Sequence, residues 1–263
     1  MRASSIYVLP CKAGSGYVNI TNACLNDCLF CIKRDGAHFY GSDLALDGRP
    51  PSAAEIVEDF EAADDVRRLK EVVFCGMGEP LLRYNCVLDV CREIRRLRGQ
   101  SIGIRVDTSG LAWSKEKRLD ILDWINCMSI SLNAESAEKY EAMCKPKIRN
   151  AYGVLMDFLW AIKVEQVEQD KLNCCFPHVR LTVVDTRETD CIPESGRQAY
   201  PPGQFPVPDF DKCEAIATGF GWPLIVKRLF RDSRDDHWSD PALREICLQG
   251  ITPDLCKDCS NRH

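Results

Sequence analysis

Three cysteines stand close together near the start of the chain, Cys24, Cys28 and Cys31, at the spacing C-x3-C-x2-C. No other feature restricts the fold as much, because thiols this close either converge on one inorganic centre or are held apart in a core. They follow a short run of strand character, Tyr17-Val18-Asn19-Ile20-Thr21. A [4Fe–4S] cluster usually takes four Cys ligands, so three local thiolates leave one iron open unless a distant Cys supplies the fourth. The competing arrangement is a zinc knuckle or a set of buried structural thiols. Structural zinc wants four N or S donors, and neither His nor a fourth Cys follows at close spacing.

The 263 residues suffice for one α/β barrel or two small domains. With 45% hydrophobic and 28% charged residues, the composition is that of a soluble protein with a sizeable core. Residues 1–10 contain no long apolar segment, and no run of about 20 apolar residues occurs, so neither a signal peptide nor a membrane span is expected. Sixteen cysteines without an export signal, some at metal-ligand spacing, fit a reducing cytoplasm better than a disulfide scaffold. A net charge of −5 argues against broad non-specific nucleic-acid binding, which depends on neutralising phosphates. It leaves a local basic patch open.

Along the chain, strand and helix patterns alternate. Strands are expected at 17–21, 71–75, 102–106, 127–134, 179–184 and 222–229. Between them, helices are expected over 53–69, 83–98, 115–124, 136–143, 150–166 and 211–220. Ser52 and Glu55 form a capping box for the first of these, with Ile56 and Phe60 on its apolar face. Val87, Val90, Cys91 and Ile94 mark the inner face of the second, and Arg92, Arg95, Arg96 and Arg98 read as its solvated side. Residues 1–16 read as a lead-in, 33–51 as irregular, and the proline-rich 185–209 as a long loop of the kind that forms lids. Six β/α units in succession indicate a parallel sheet covered by helices. In such barrels functional groups lie on the loops after the strands, which is where the cysteines fall.

The triplet, with Phe30 just before its third Cys, resembles the signature of the radical S-adenosylmethionine (SAM) superfamily. Gly76-Met77-Gly78-Glu79-Pro80, after a strand, resembles that family's GGEP turn, with Met77 in place of the second glycine. Asp107-Thr108-Ser109-Gly110 is similar to its T-N-G turn, and Ser131-Leu132-Asn133-Ala134 to the exit of its fourth strand. On the residues alone these are also ordinary strand-end turns, and Asn133 or Ser136 could simply cap a helix. The resemblance implies a partial (β/α)6 TIM-type barrel over residues 1–230 and a [4Fe–4S] cluster on Cys24, Cys28 and Cys31. It also implies SAM contacts from Phe30, Gly76, Met77, Gly78, Glu79, Thr108, Ser131, Asn133 and Val183. Reductive cleavage of SAM would give a 5′-deoxyadenosyl radical that abstracts hydrogen from a small-molecule or peptide substrate. An electron donor such as flavodoxin or ferredoxin follows from that chemistry.

The segments 17–31, 72–80 and 129–134 look most like the TatD-associated radical SAM proteins, which implies a functional link to a TatD-type hydrolase. Residues 231–263 form a Cys-bearing extension in which Cys247, Cys256 and Cys259 could hold a second iron–sulfur cluster, or zinc with Cys191 or Cys213. Three further readings stay open. A tRNA- or nucleotide-modifying enzyme would show a basic barrel mouth near Arg231 and Arg234. A glycyl-radical activase would need a wide mouth. A metal-bearing binding module would hold its centre without cleaving SAM.

Overall fold

The computed structural model describes residues 5–8, 14–35, 38–39, 42–43, 45–62, 69–115, 119–172, 174–187 and 205–228. The strands of its main sheet are β1 (Ile6–Val8), β2 (Ser15–Val18) and, after a small hairpin of β3 (His38–Phe39) and β4 (Ser42–Asp43), β5 (Glu71–Phe74). β6 (Gly103–Thr108), β7 (Cys127–Ser131), β8 (His178–Asp185) and β9 (Leu224–Arg228) complete it. The helices are α1 (Ala53–Ala62), α2 (Tyr84–Arg98), α3 (Ala137–Cys144), α4 (Ala151–Lys171) and α5 (Phe210–Phe220).

The seven strands pair in the order β1-β2-β5-β6-β7-β8-β9. β1 is antiparallel to β2, and every later pair is parallel. Strand order therefore follows chain order, without the reversal of a doubly wound sheet. This is the parallel sheet that the alternation of elements indicated, singly wound as in the partial (β/α)6 barrel that the resemblance implied.

The two faces of the sheet differ sharply. Val72, Phe74, Ile104, Val106, Met128, Ile130 and Leu181 point to one side, where they pack with Val87, Val90, Ile94, Leu155, Phe158 and Ile162 of the helices. Successive residues of a strand face opposite ways, so the other side carries Tyr17, Arg105, Asp107, Cys127, Ser129, Arg180 and Thr182. That face is the inner wall of the barrel, and it is largely polar.

The capping box at α1 forms as expected: Glu55 N donates to Ser52 Oγ at 3.3 Å, and Ser52 N donates to Glu55 Oε2 at 2.8 Å. Several expectations are corrected. The first parallel strand occupies Ser15–Val18, not 17–21, because Asn19 and Thr21 turn their side chains to the following loop. The lead-in contains β1, too short at three residues to show a period. Part of 33–51 pairs as the β3–β4 hairpin. Among the described residues of 115–124 the helical element is a 3-10 turn, Asp120–Asp123, held by Tyr84, whose hydroxyl donates to Asp120 Oδ1 and accepts from Ile121 N. Arg95 does not belong to the solvated side of α2. Its guanidinium donates to Trp124 O, Gly99 O, Ile102 O and Asn126 Oδ1 and so ties the helix to the start of β6. Among the described residues, no helix is long and apolar enough to cross a membrane.

Candidate active site

The cysteine loop leaves the C-terminal end of β2 and docks on the end of α3. The last carbonyls of a helix have no partner within it; here Asp27 N and Leu29 N donate to Cys144 O and Met143 O, both at 2.9 Å. Lys147 N reaches back to Leu25 O at 2.7 Å, and Asn26 Nδ2 donates to the Tyr140 hydroxyl at 3.0 Å. Asn22 pairs through its side chain with both the N–H and the carbonyl of Leu46. The loop is thus fixed from both sides.

Cys24, Cys28 and Cys31 are all half-buried on this loop. Burial raises the thiols of Cys24 and Cys31 above the usual range, and a hydrogen bond with Cys144, then burial, raises Cys28. Asn133 Nδ2 donates to Cys144 Sγ at 3.5 Å, so an Asn133–Cys144–Cys28 chain runs from the exit of β7 to the loop. Three cations hold the loop's carbonyls: Lys33 on Asn22 O, Arg34 on Cys28 O at 2.9 Å, and Lys147 on Cys24 O at 3.1 Å. Among the described residues, no three His, Cys, Asp or Glu side chains are arranged to hold a metal ion. The donor set fits a cluster, which gives each thiolate its own iron, and the surrounding cations would offset the negative charge of a thiolate-bound cube.

The glycine turn closes onto this loop. A Cβ on Gly78 would stand 2.2 Å from Thr21 O and 2.4 Å from Ala23 O, and one on Gly76 would meet Asn19 Oδ1 at 2.5 Å. Both glycines are therefore required by contact with the cysteine loop itself. Met77 N donates to Asn19 Oδ1 at 3.3 Å, and Glu79 N to Ala23 O at 2.8 Å.

Glu79 is 3% exposed, and its carboxylate is fully occupied. Oε1 accepts from Leu81 N at 3.0 Å and the Thr108 hydroxyl at 2.6 Å; Oε2 accepts from Ser109 N at 2.7 Å and the Ser109 hydroxyl at 2.6 Å. A carboxylate has about four acceptor sites, so this one offers none to a ligand ammonium. Thr108 also accepts from Gly110 N at 2.9 Å and is likewise buried. Glu79 and Thr108 brace one strand-end turn against another.

The remaining sequence candidates lie near these turns. Phe30 is half-buried against the core. Ser131 is half-buried at the end of β7, and Asn133 is buried in a left-handed conformation with φ 59°. Asn133 does not cap α3; Ser136 does, accepting from Lys139 N at 3.3 Å. The Val183 side chain is buried on the helix side of β8, and its backbone lies just past the last β7–β8 pair, Ser131 with Thr182. Cys247, Cys256, Cys259, Cys191, Arg231 and Arg234 lie outside the described residues. Cys213 is buried in α5, where its thiol is pushed up to about 12 by burial.

Sequence reasoning passed over the inner wall. Arg105 Nε lies 3.3 Å from Glu71 and 3.6 Å from Asp107, and Lys227 Nζ lies 4.0 Å from Asp107. Cys127 stands on this wall in register with Arg105, its thiol pushed up to about 11 by burial. Polar residues at alternate positions of 103–108, 127–131 and 178–185 were the available signal.

Comparison with known proteins decides the family. A family model described as the radical SAM superfamily matches residues 18–163. The chain belongs to the radical SAM superfamily. A probable dual-specificity RNA methyltransferase RlmN of Exiguobacterium sibiricum is 34% identical over 113 residues, covering 39% of this chain and 31% of that protein. A GTP 3′,8-cyclase of Lactiplantibacillus plantarum is 26% identical over 128 residues, 49% of this chain and 36% of the relative. The matches thus span about a third of each curated relative's length. The structure of TYW1 with a lysine-pyruvate adduct bound superposes with a TM-score of 0.53 at 11% identity, over 86% of this chain and 68% of that one. Native anSMEcpe with bound AdoMet gives 0.50 at 14% identity, over 82% and 51%. Both share the fold. Radical SAM enzymes use a [4Fe–4S] cluster and SAM.

Proposed function

We propose that Cys24, Cys28 and Cys31 hold a [4Fe–4S] cluster with one open iron, and that SAM binds across the C-terminal ends of β2 and β5 to β8. The observation that carries this reading is the interlock between the cysteine loop and the glycine turn, in which Gly78 admits no Cβ and Glu79 N binds Ala23 O. Bound there, the cluster would supply the electron that cleaves SAM to the 5′-deoxyadenosyl radical. The chain's own residues hold, shield and orient. Lys33, Arg34 and Lys147 secure the loop's carbonyls, and the Glu79 brace fixes the turn beneath it. Because Glu79 is saturated, the ammonium of SAM falls to backbone acceptors of residues 76–78. Ser131, Asn133 and the backbone at Val183 line the far side as candidate ribose and adenine contacts. The cofactor carries the hard chemistry, while the protein supplies binding and orientation.

The substrate proposed is a small molecule or peptide segment, with flavodoxin or ferredoxin as reductant and a cytoplasmic setting. The likeness of segments 17–31, 72–80 and 129–134 to TatD-associated proteins supports a functional link to a TatD-type hydrolase. A nucleotide- or RNA-modifying role is the second reading, favoured by the similarity to an RNA methyltransferase and a GTP cyclase. Cys247, Cys256 and Cys259 are proposed to hold a second cluster or zinc. Iron and sulfide quantification after anaerobic reconstitution tests the site. About four of each per chain, lost when Cys24, Cys28 and Cys31 are changed to Ala, is expected. A further set lost on changing the three tail cysteines would place a cluster there. Undiminished iron in the first variant would refute the proposed ligands.

A further inference from the structure

We propose that Ser129 and Arg180, on the inner wall of the barrel, form a subsite for an oxyanion carried by the substrate, a carboxylate or a phosphate. The proposal rests on the radical SAM reading in one respect: the inner wall faces the space where the substrate would meet SAM.

Register places the pair side by side. Asp107 pairs with Ser129, and Ser129 with Arg180, so the three form one row across β6, β7 and β8. Partnered residues of adjacent strands point to the same face. The neighbours of Ser129 along β7, Met128 and Ile130, belong to the hydrophobic core on the helix side. The row therefore faces inward.

Two donors in this row have no acceptor among the described residues. Ser129 is 1% exposed, yet its hydroxyl has no hydrogen-bond partner. The Nε–H of Arg180 is likewise buried and unpartnered. Buried polar groups are nearly always satisfied, and the exceptions call for an explanation such as a ligand or an ordered water. The two unsatisfied donors of the row are a hydroxyl and a guanidinium N–H, and a group that accepts from both is an oxygen.

Charge selects an anion. On the inner wall Arg105 lies between Glu71 and Asp107, and Lys227 stands beside Asp107. These two cations balance the two carboxylates. Arg180 makes no ion pair among the described residues, so its charge is the surplus. A guanidinium beside a hydroxyl is well matched to carboxylate or phosphate geometry.

Depth gives the arrangement a function. Ser129 lies two residues below Ser131, about 7 Å at the usual strand rise. An anion held there would anchor one end of a small molecule low in the barrel, leaving the rest to reach the strand ends. Holding a reactant in one pose is worth much of a reaction barrier.

The test uses the full chain, anaerobically reconstituted, in equilibrium dialysis against radiolabelled inorganic phosphate and, separately, acetate. Saturable binding of one anion is expected. Arg180→Gln should weaken it at least about tenfold, and Ser129→Ala by several-fold. Arg92→Gln, on the exposed side of α2, should leave it unchanged. The preferred anion distinguishes phosphate from carboxylate substrates. Should Arg180→Gln unfold the protein, Ser129→Ala and Arg180→Lys decide. No saturable binding of either anion, or equal binding in these variants, overturns the subsite. Formation of 5′-deoxyadenosine by the same preparations reports separately on the radical SAM reading. Its absence from protein with an intact, reduced cluster and cell extract present, beside Arg180-dependent anion binding, would remove that reading and leave the subsite standing.

Discussion

Ser109 gives both its backbone N–H and its hydroxyl to one oxygen of Glu79, at 2.7 and 2.6 Å. Leu81 N and Thr108 fill the other oxygen, so the turn after β5 and the turn after β6 share one buried carboxylate. Glu79→Gln would put an amide donor against donors on one side. The expected cost is about 1–3 kcal/mol, read as a lowered denaturant midpoint, with reduced iron loading as the turn loosens. Glu79→Gln with unchanged stability and loading would show that the brace is not required.

Gly78→Ala separates the site from the fold. The added methyl would collide with Thr21 O and Ala23 O, which are backbone and cannot rotate away. The cysteine loop must shift, while the sheet is not touched. Far-UV circular dichroism should be retained and iron content should fall severalfold. Full iron content in this variant would contradict the interlock.

Cys144 tests whether one iron stays open. Its thiol meets Cys28, and it is the distant cysteine that the described structure brings to the triplet. Cys144→Ala should leave about four iron atoms per chain, because three ligands suffice to hold a cluster with one open iron. A marked loss of iron would make Cys144 a fourth ligand and would close the position proposed for SAM.

Arg95→Met addresses the fold alone. It removes donors to three carbonyls and to Asn126 that join α2 to β6. A stability loss on the order of 2–4 kcal/mol is expected, with SAM cleavage per bound cluster unchanged. Lower cleavage per cluster would show that the clamp also shapes the site.

The capping box predicts a pH effect. The Arg49 side chain, then the Ser52 N–H, hold the Glu55 carboxyl well below the usual carboxylate range. A folded value below the unfolded one means stability that is present above the ordinary carboxylate pKa and lost as pH falls through the folded value. The difference in melting temperature between wild type and Glu55→Gln should therefore be largest near neutrality and shrink in acid. A difference independent of pH would remove this assignment.

Much of this was legible in the sequence, for physical reasons. Helical spacing exposed the faces of α1 and α2, and a strand followed by Gly-x-Gly-Glu-Pro marked a turn on a barrel rim. The role of Glu79 was not legible, because its partners lie about 30 residues away and only the parallel β5–β6 pairing brings them together. That Gly76 and Gly78 also pack against the cysteine loop was not legible either, because only the fold brings residues 19–23 to them. Ser129 and Arg180 were hidden by register, which pairs residues 51 positions apart, since 180 − 129 = 51. The 3-10 turn at Asp120–Asp123 escaped because it depends on the Tyr84 hydroxyl, a tertiary contact.

The three-cysteine loop is proposed to support reductive cleavage of SAM. Its most direct test is 5′-deoxyadenosine formation by anaerobically reconstituted, dithionite-reduced protein supplied with SAM, beside the variant in which Cys24, Cys28 and Cys31 are Ala. Wild type should form 5′-deoxyadenosine, raised by cell extract containing the substrate, and the variant none. No product from a protein shown to hold an intact, reduced cluster, with extract present, would contradict it.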